Sequence, residues 1–144
     1  MIVVGANSAG EVAVTGGKLV SQNGTAINLP ESASLSNTAA RQWYLDQEAQ
    51  IPSLIDTTTS LQDQAYQAFN LRNSFRTATR NAMIDQETAA QLNVTNPNLT
   101  WDQVVQKYSS TYSGDELWTQ IIGASQRSRA SVNQSFGVTP SKGK

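Results

Sequence analysis

The sequence contains neither cysteine nor histidine among its 144 residues. Disulfide frameworks, thiol nucleophiles and Cys/His zinc sites are therefore excluded, and so is every mechanism that uses an imidazole as proton carrier or metal ligand. Charge is also scarce, because Asp, Glu, Lys and Arg make up 15% of the chain and the formal net charge is -1. Bulk charge thus favours no class of partner. Any chemistry has to use arginine, lysine, tyrosine, carboxylates or hydroxyls.

Long hydrophobic runs are absent too. No stretch of 18 apolar residues occurs, so we expect no stable membrane insertion by a helix. Residues 1–5 lack a charged leader and a long apolar stretch, and therefore predict no signal peptide. What the chain has instead is uncharged polarity: Ser, Thr, Gln and Asn account for 55 of its 144 residues. We associate this composition with exported bacterial surface proteins.

Residues 1–32 predict a small β element. This segment is rich in glycine and offers a two-residue turn at Gly16-Gly17 and a second hairpin turn at Asn23-Gly24. The short β-branched pieces are Ile2-Val3-Val4, Val12-Ala13-Val14 and Lys18-Leu19-Val20. Because so few short strands bury little surface, we expect the hairpin or meander to pack against the rest of the chain.

Residues 33–138 predict a helical domain. A first helix over residues 36–50 places Leu35, Ala39, Trp43 and Gln47 on one stripe, and Pro52 ends or kinks it. Residues 53–84 contain no Gly or Pro and could form a single helix, with the three threonines at 57–59 as its weak point. The two helices are expected to lie as an antiparallel hairpin.

Helix caps organise the last third of the chain. Thr100 to Gln103 and Ser113 to Glu116 each match a capping box, which predicts helices beginning near Trp101 and Gly114. Asp85 could cap a short helix through Leu92. A last helix is expected over residues 128–136, followed by a flexible tail over residues 139–144. The predicted fold class is mainly α (α+β), with a small N-terminal β-hairpin, a long helical hairpin and several short capped helices.

Three arginines, Arg72, Arg76 and Arg80, are spaced by four residues. Each step rotates by about 40° on a helix, so their guanidinium groups form a ridge. No acid lies within residues 64–84, and therefore no carboxylate of the same helix neutralises the ridge. A ridge of this kind suits phosphate, because a guanidinium presents a planar fork to phosphate oxygens.

A second basic pair, Arg127 and Arg129, begins the last predicted helix. The candidate nucleic-acid-binding residues are Arg72, Arg76, Arg80, Arg127 and Arg129. The alternative is that each arginine binds an acid of another helix or lies in water, as most surface charges do. Residues 31–63 carry five acids and only one basic residue, Arg41, so charge is segregated along the predicted hairpin, which is more typical of a binding surface.

RNA cleavage is possible without histidine, because the substrate's 2′-hydroxyl is the nucleophile and the protein supplies a base, phosphate ligands and stabilisation of the leaving oxygen. Arg76 and Arg80 are the candidates for binding the phosphate, and Arg127 and Arg129 for stabilising the developing charge. Asp85, Lys107 or Tyr108 would supply proton transfer. We expect no cofactor and no metal site, since Asp85 and Glu87 are two positions apart and point to different faces of a helix.

Four aromatic residues, Trp101, Tyr108, Tyr112 and Trp118, could stack on unpaired bases. Core packing of the two tryptophans at the starts of the capped helices is the favoured interpretation, because aromatic stripes at helical spacing usually serve that purpose.

Several sequence pieces carry a resemblance to a known family. They are residues 76–85 (RTATRNAMID), 97–101 (PNLTW), 107–108 (KY), 112–118 (YSGDELW), 125–129 (SQRSR), 132–133 (VN) and 136–138 (FGV). In these pieces the chain resembles the C-terminal regions of filamentous-haemagglutinin-type effectors, the CdiA-type toxins of contact-dependent growth inhibition. The resemblance extends from Arg72 to Val138, which is just under half the chain.

The resemblance implies a toxin domain presented at the cell surface by a large secreted effector and delivered to the cytoplasm of a neighbouring bacterium. It also implies a cognate immunity protein as partner and, in many members, nuclease activity on transfer RNA. We therefore predict a metal-independent ribonuclease. The alternatives are a non-enzymatic helical interaction or translocation module of a surface adhesin, and a metal-dependent DNase.

Overall fold

The computed structural model describes residues 18–95 and 97–123. In chain order, its elements are β1 (Lys18–Val20), β2 (Ala26–Asn28), α1 (Asn37–Leu54), α2 (Leu61–Ala82), α3 (Gln86–Thr95), α4 (Trp101–Ser109) and α5 (Gly114–Ile122). The predicted mainly α fold with a small antiparallel hairpin is confirmed. The pieces predicted at residues 2–4, 12–14, 16–17, 128–136 and 139–144 lie outside the described residues.

The hairpin turns where the sequence predicts it. β1 and β2 pair antiparallel with Leu19 opposite Ile27, and both side chains are buried in the core. Gly24 adopts a φ of 89°, a left-handed conformation that favours glycine. The Asn23 side-chain oxygen accepts hydrogen bonds from the Thr25 amide (3.2 Å) and hydroxyl (2.8 Å). The Asn23-Gly24 turn is thus confirmed.

Ser36 is the N-cap of helix α1, and its hydroxyl accepts a hydrogen bond from the Ala39 amide at 3.2 Å. Its buried face differs from the predicted stripe, because Ala39 is exposed while Ala40 and Tyr44 are buried. The complete buried set is Ala40, Tyr44, Leu45, Gln47, Glu48, Ile51 and Leu54. Pro52 does not end the helix at once, since α1 continues to Leu54.

A single helix over residues 53–84 is not formed, and that possibility was wrong. The break falls in residues 55–60, which contain the three threonines singled out as the weak point. There the Asp56 carboxylate accepts from the Thr58 amide (3.0 Å) and hydroxyl (2.6 Å), bonds that compete with continuation of a helix. Ser60 then caps α2 by accepting from the Asp63 amide at 3.1 Å.

Backbone hydrogen bonds join the residues just before α1 to the residues at the end of α2. The start of α1 therefore lies beside the end of α2, and the two helices are antiparallel. Leu35 and Met83 form a parallel bridge. The bonds run from the amides of Ala33 to Asn81 O (3.0 Å), Ser34 to Ala82 O (2.7 Å), Leu35 to Ala82 O (2.8 Å) and Ile84 to Leu35 O (2.9 Å). We name this set the 33–84 clasp.

Helix α2 is the central element of the fold. On one side Ala68, Leu71 and Phe75 join a core with the hairpin, α1 and α3. On another side Ala65 and Phe69 join a second core with α4 and α5. Because both sides are covered, polar residues of α2 are buried as well, namely Gln67, Asn70, Arg72, Asn73, Ser74, Thr77 and Thr79.

The predicted caps of α3 and α4 are confirmed. The Asp85 carboxylate accepts from the Thr88 amide at 3.0 Å, although α3 runs to Thr95 and not only to Leu92. Thr100 and Gln103 form the reciprocal bonds of a capping box.

The second predicted capping box was wrong. Ser113 holds the N-cap position of α5, but its side chain makes no cap hydrogen bond. Its φ of -145° is more extended than the -75° of Thr100, and Gly114 after it has a φ of 60°. The backbone therefore enters this helix along a different path from that of α4, and the hydroxyl makes no bond to the first-turn amides.

The two tryptophans pack together, as expected for core residues. The rings of Trp101 and Trp118 are stacked with centroids 6.0 Å apart and planes at 14°. Trp101 also meets Phe69 of α2 at 5.3 Å between centroids. Within the part of the chain that the structure describes, no helix combines the length and apolar character that a membrane span requires.

Candidate functional site

Arg72, the first member of the predicted ridge, lies inside the fold. It is 6% exposed and donates from Nη2 to the carbonyl oxygens of Ile121 (3.3 Å) and Ile122 (3.4 Å). These carbonyls belong to the last turn of α5, where helical carbonyls lack intrahelical donors and carry partial negative charge. Arg72 therefore closes the C-terminal end of α5 and does not face solvent.

Tyr44 and Glu48 of α1 face the same interior region, one helical turn apart. They are 2% and 1% exposed. Burial raises the pKa of the Tyr44 phenol, with the charge of Arg76 opposing the shift and the adjacent Glu48 carboxylate adding to it. Tyr44 thus stays protonated, and its hydroxyl can serve as a hydrogen-bond donor to Glu48.

Tyr44, Glu48, Arg72 and Arg76 together form what we call the buried ionic cluster. Burial lowers the pKa of Arg72, while Tyr44 and Glu48 raise it. The absence of acids from residues 64–84 therefore does not leave Arg72 without a counter-charge, because Glu48 of α1 supplies one. The structure thus places Arg72 in the interior, where the negative charge of Glu48 from α1 favours the charged guanidinium.

Tyr44 and Glu48 were missed by the sequence analysis. Glu48 was counted as one of five acids in a charged segment, and charged residues are rarely fully buried unless paired. The sequence signal that could have identified them is their helical spacing. Tyr44 and Glu48 continue a buried face of α1 that also contains Ala40 and Ile51.

Arg76 and Arg80 lie one and two turns further along α2 and are partly buried. Arg76 donates from Nη1 to the side-chain oxygen of Asn73 at 3.3 Å. Arg80 donates to the side-chain oxygen of Asn98 at 3.3 Å and to the hydroxyl of Thr77 at 3.4 Å. These amide and hydroxyl acceptors are neutral, so they orient the guanidinium groups without cancelling charge.

The amide side chains around these arginines also connect α2 to the segment before α4. Asn73 donates to the carbonyl of Leu99 at 3.0 Å, and Asn98 donates to the Thr77 hydroxyl at 3.0 Å. Arg76 and Arg80 are thus held by a network that spans two parts of the chain.

A shallow concavity opens between α2 and α3 beside Arg80. Its lining consists of Thr77, Arg80, Asn81, Gln86, Ala89, Ala90 and Asn93. None of these residues is acidic. We name it the α2–α3 concavity.

Lys107 and Tyr108, the candidates for proton transfer, are neighbours on α4. The Lys107 ammonium lies 5.8 Å from the centroid of the Tyr108 ring. Lys107 is exposed and lines a second shallow concavity with Leu99, Gln103 and Gln106. Tyr108 is partly buried against the core of α4 and α5, near enough to Arg72 to raise its pKa.

Asp85 is placed apart from these groups, at the start of α3. Its carboxylate accepts from the amide (3.0 Å) and hydroxyl (2.8 Å) of Thr88 and from Asn37 (3.2 Å). The Thr88 and Asn37 hydrogen bonds lower the pKa of Asp85. This is the cap that the sequence favoured, and a lowered pKa makes the carboxylate a weaker general base.

In residues 18–95 and 97–123, no group of three or more acidic side chains could hold a metal ion. Arg127 and Arg129 lie outside the described residues. The structure therefore brings Arg72, Arg76 and Tyr108 toward one region, places Arg80 one helical turn beyond Arg76 along α2, and uses Asp85 as the cap of α3.

Comparisons with known proteins give no relative for this chain. No family model matches it, and neither a curated protein nor a solved structure matches it at a significant level.

Proposed function

We propose that this chain is the toxic C-terminal domain of a contact-dependent growth inhibition effector and that it cleaves RNA, with transfer RNA as substrate, without a metal. The observation that carries the proposal is the pair Arg76 and Arg80, one helical turn apart and oriented by Asn73, Asn98 and Thr77. Two oriented guanidinium groups suit the oxygens of adjacent phosphates. The sequence resemblance supplies the family.

The reaction is a transesterification. The 2′-hydroxyl loses its proton and attacks the adjacent phosphorus, which forms a 2′,3′-cyclic phosphate. The bond between phosphorus and the 5′-oxygen breaks, and the 5′-oxygen leaves with a proton. Arg76 and Arg80 bind the phosphate, and Lys107 or Tyr108 exchanges the protons. Arg127 and Arg129 are assigned to the developing charge on sequence grounds alone. Asp85 is left with its capping role.

Purified protein incubated with total transfer RNA, with and without EDTA, tests the proposal. We expect cleavage in both cases, and fragments ending in a 2′,3′-cyclic phosphate. Arg76→Ala and Arg80→Ala should abolish cleavage, while Arg76→Lys, which keeps charge but loses the planar fork, should retain part of it. Intact RNA at stoichiometric protein would refute the nuclease.

A second candidate function is a non-enzymatic helical interaction module of an adhesin. It is favoured by two large apolar side chains at the surface, Ile84 at 61% and Val94 at 79% exposure. Under this alternative the protein is harmless inside bacteria. Under the proposal it is toxic, and the reading frame downstream of its gene encodes a small acidic immunity protein that binds it.

A further inference from the structure

We infer that the α2–α3 concavity binds one unpaired nucleotide, with its phosphate on Arg80 and the edge of its base on the side-chain amides of Asn81, Gln86 and Asn93. The inference rests on the proposed function, since it names the part of the RNA that the domain reads. It is carried by three features of the concavity: its polar groups, its apolar floor and its partly fixed walls.

The polar groups match a nucleobase. Asn81, Gln86 and Asn93 carry amides, each of which has both donor and acceptor atoms, as base edges do. The one charged residue of the lining is Arg80, and no carboxylate is present to repel a phosphate. A cation next to several neutral amides suits a group that is anionic at one end and neutral but hydrogen-bonding at the other.

The apolar part of the lining, which we call its floor, consists of Ala89 and Ala90 of α3. Ala89 is buried and Ala90 is exposed, so the Ala90 methyl group offers a small apolar surface to a ligand. A flat ring can lie on such a surface while its edge meets the amides. A base in a duplex is stacked on both faces and cannot enter, which favours an unpaired nucleotide.

The walls are partly fixed before a ligand arrives. Arg80 is held by Asn98 and Thr77, and the backbone carbonyl of Asn81 accepts a hydrogen bond within the 33–84 clasp. Gln86 donates from its side-chain amide to the Met83 carbonyl. Groups already held by the fold lose little conformational freedom on binding.

Calorimetric titration with the four nucleoside 5′-monophosphates, ribose 5-phosphate and inorganic phosphate tests the inference. We expect at least one nucleotide to bind more tightly than ribose 5-phosphate, and Asn93→Ala to weaken it about fivefold, the value of one hydrogen bond. Binding of ribose 5-phosphate should be unchanged by that substitution. Equal affinity of wild-type protein for every nucleotide and for ribose 5-phosphate would rule out base recognition.

Ala90→Leu provides an independent variant, because its side chain is exposed and a larger one would fill the floor without disturbing the core. It should abolish the preference for nucleotides over ribose 5-phosphate. Ala49→Leu, at an exposed position of α1, is the matched control and should bind as wild type does. If Ala90→Leu binds nucleotides normally, the subsite is wrong.

The experiments distinguish failure of the proposed nuclease activity from failure of the proposed nucleotide subsite. Loss of RNA cleavage in Arg76→Ala together with normal nucleotide binding by Ala90→Leu would retain the nuclease and reject the subsite. Selective nucleotide binding by a protein that leaves RNA intact would retain the subsite and reject the nuclease.

Discussion

The Arg72 guanidinium donates to the main-chain carbonyl of Ile121, so that a buried cation of α2 closes the C-terminal end of α5. The contact spans 49 residues of sequence and connects the central helix to the second core. The same guanidinium is also stabilised in its charged form by the negative charge of Glu48. The stability of the fold should therefore depend strongly on this side chain.

Replacing Arg72 by methionine keeps most of its length but removes the charge. The carbonyls of Ile121 and Ile122 each lose a donor, and Glu48 loses a nearby positive charge, so we expect a loss of about 3 kcal/mol in the free energy of unfolding. Urea denaturation measures it. Arg72→Met combined with Glu48→Leu should recover part of the loss, and strict additivity of the two substitutions would contradict the coupling.

Glu48→Gln preserves shape and removes the buried negative charge. We expect it to destabilise the protein by about 2 kcal/mol, because Arg72 then stays buried without that carboxylate. Glu87→Gln is the matched control on the exposed first turn of α3, and it should change the free energy of unfolding by no more than about 0.5 kcal/mol. Equal effects of the two changes in thermal or urea denaturation would show that Glu48 carries no special role.

The two N-caps of α4 and α5 give a paired prediction. Thr100→Ala removes the hydroxyl that accepts from the Gln103 amide and should cost about 1 kcal/mol of stability. Ser113→Ala removes a hydroxyl that makes no cap hydrogen bond and should cost much less. Thermal denaturation of both variants compares them directly, and a larger effect of Ser113→Ala would be inconsistent with the structure.

The lowered pKa of Asp85 predicts that the stability of the fold depends on pH. Its pKa is lowered in the folded state, so the stabilisation it provides is present above its unfolded pKa and is lost as the pH falls through its lower folded pKa. Asp85→Asn lacks this titration. The difference in Tm between wild type and Asp85→Asn should be constant near neutrality and diminish below about pH 4. A difference that grows with acidity would have the wrong sign.

Expression inside a bacterium tests the proposed function in the cell. Induction of the wild-type chain should arrest growth, and Arg76→Ala or Arg80→Ala should relieve the arrest. Circular dichroism and thermal denaturation of the purified variants establish that they fold. Arg41→Ala, which removes an arginine of α1 outside the proposed phosphate site, is the control and should remain toxic. Equal growth with and without induction of wild type would favour the interaction module.

Local features of the fold were predictable from the sequence. The turn at Asn23-Gly24, the capping box of Thr100 and the cap by Asp85 each depend on residues within a few positions of one another. The backbone groups at a turn or helix end need partners nearby, and short spacings reveal them. Ser113 shows the limit, since the same spacing gave no bond once the backbone φ differed.

The buried ionic cluster could not be predicted in the same way. The meeting of Glu48 with Arg72 depends on the register between α1 and α2, which is fixed by the break at residues 55–60 and by the 33–84 clasp. The buried face predicted for α1 includes Ala39 in place of Ala40, and a shift of one position leaves the Glu48 side chain exposed to solvent. The sequence correctly predicted that Arg72, Arg76 and Arg80 lie on one helix. Burial of Arg72, however, results from the packing of α5 on α2, a contact between segments far apart in the sequence.

The 33–84 clasp also determines how this chain responds to mechanical tension. When the chain is pulled at Ser32 and Asp85, on either side of the clasp, the load passes from residues 33–35 directly to residues 81–84 through hydrogen bonds that lie side by side. The bridge between Leu35 and Met83 is parallel, so opposite pulls shear these bonds together instead of opening them one at a time. The helical hairpin enclosed between them carries no load until the clasp gives way, and the rate of forced unfolding is set by that event.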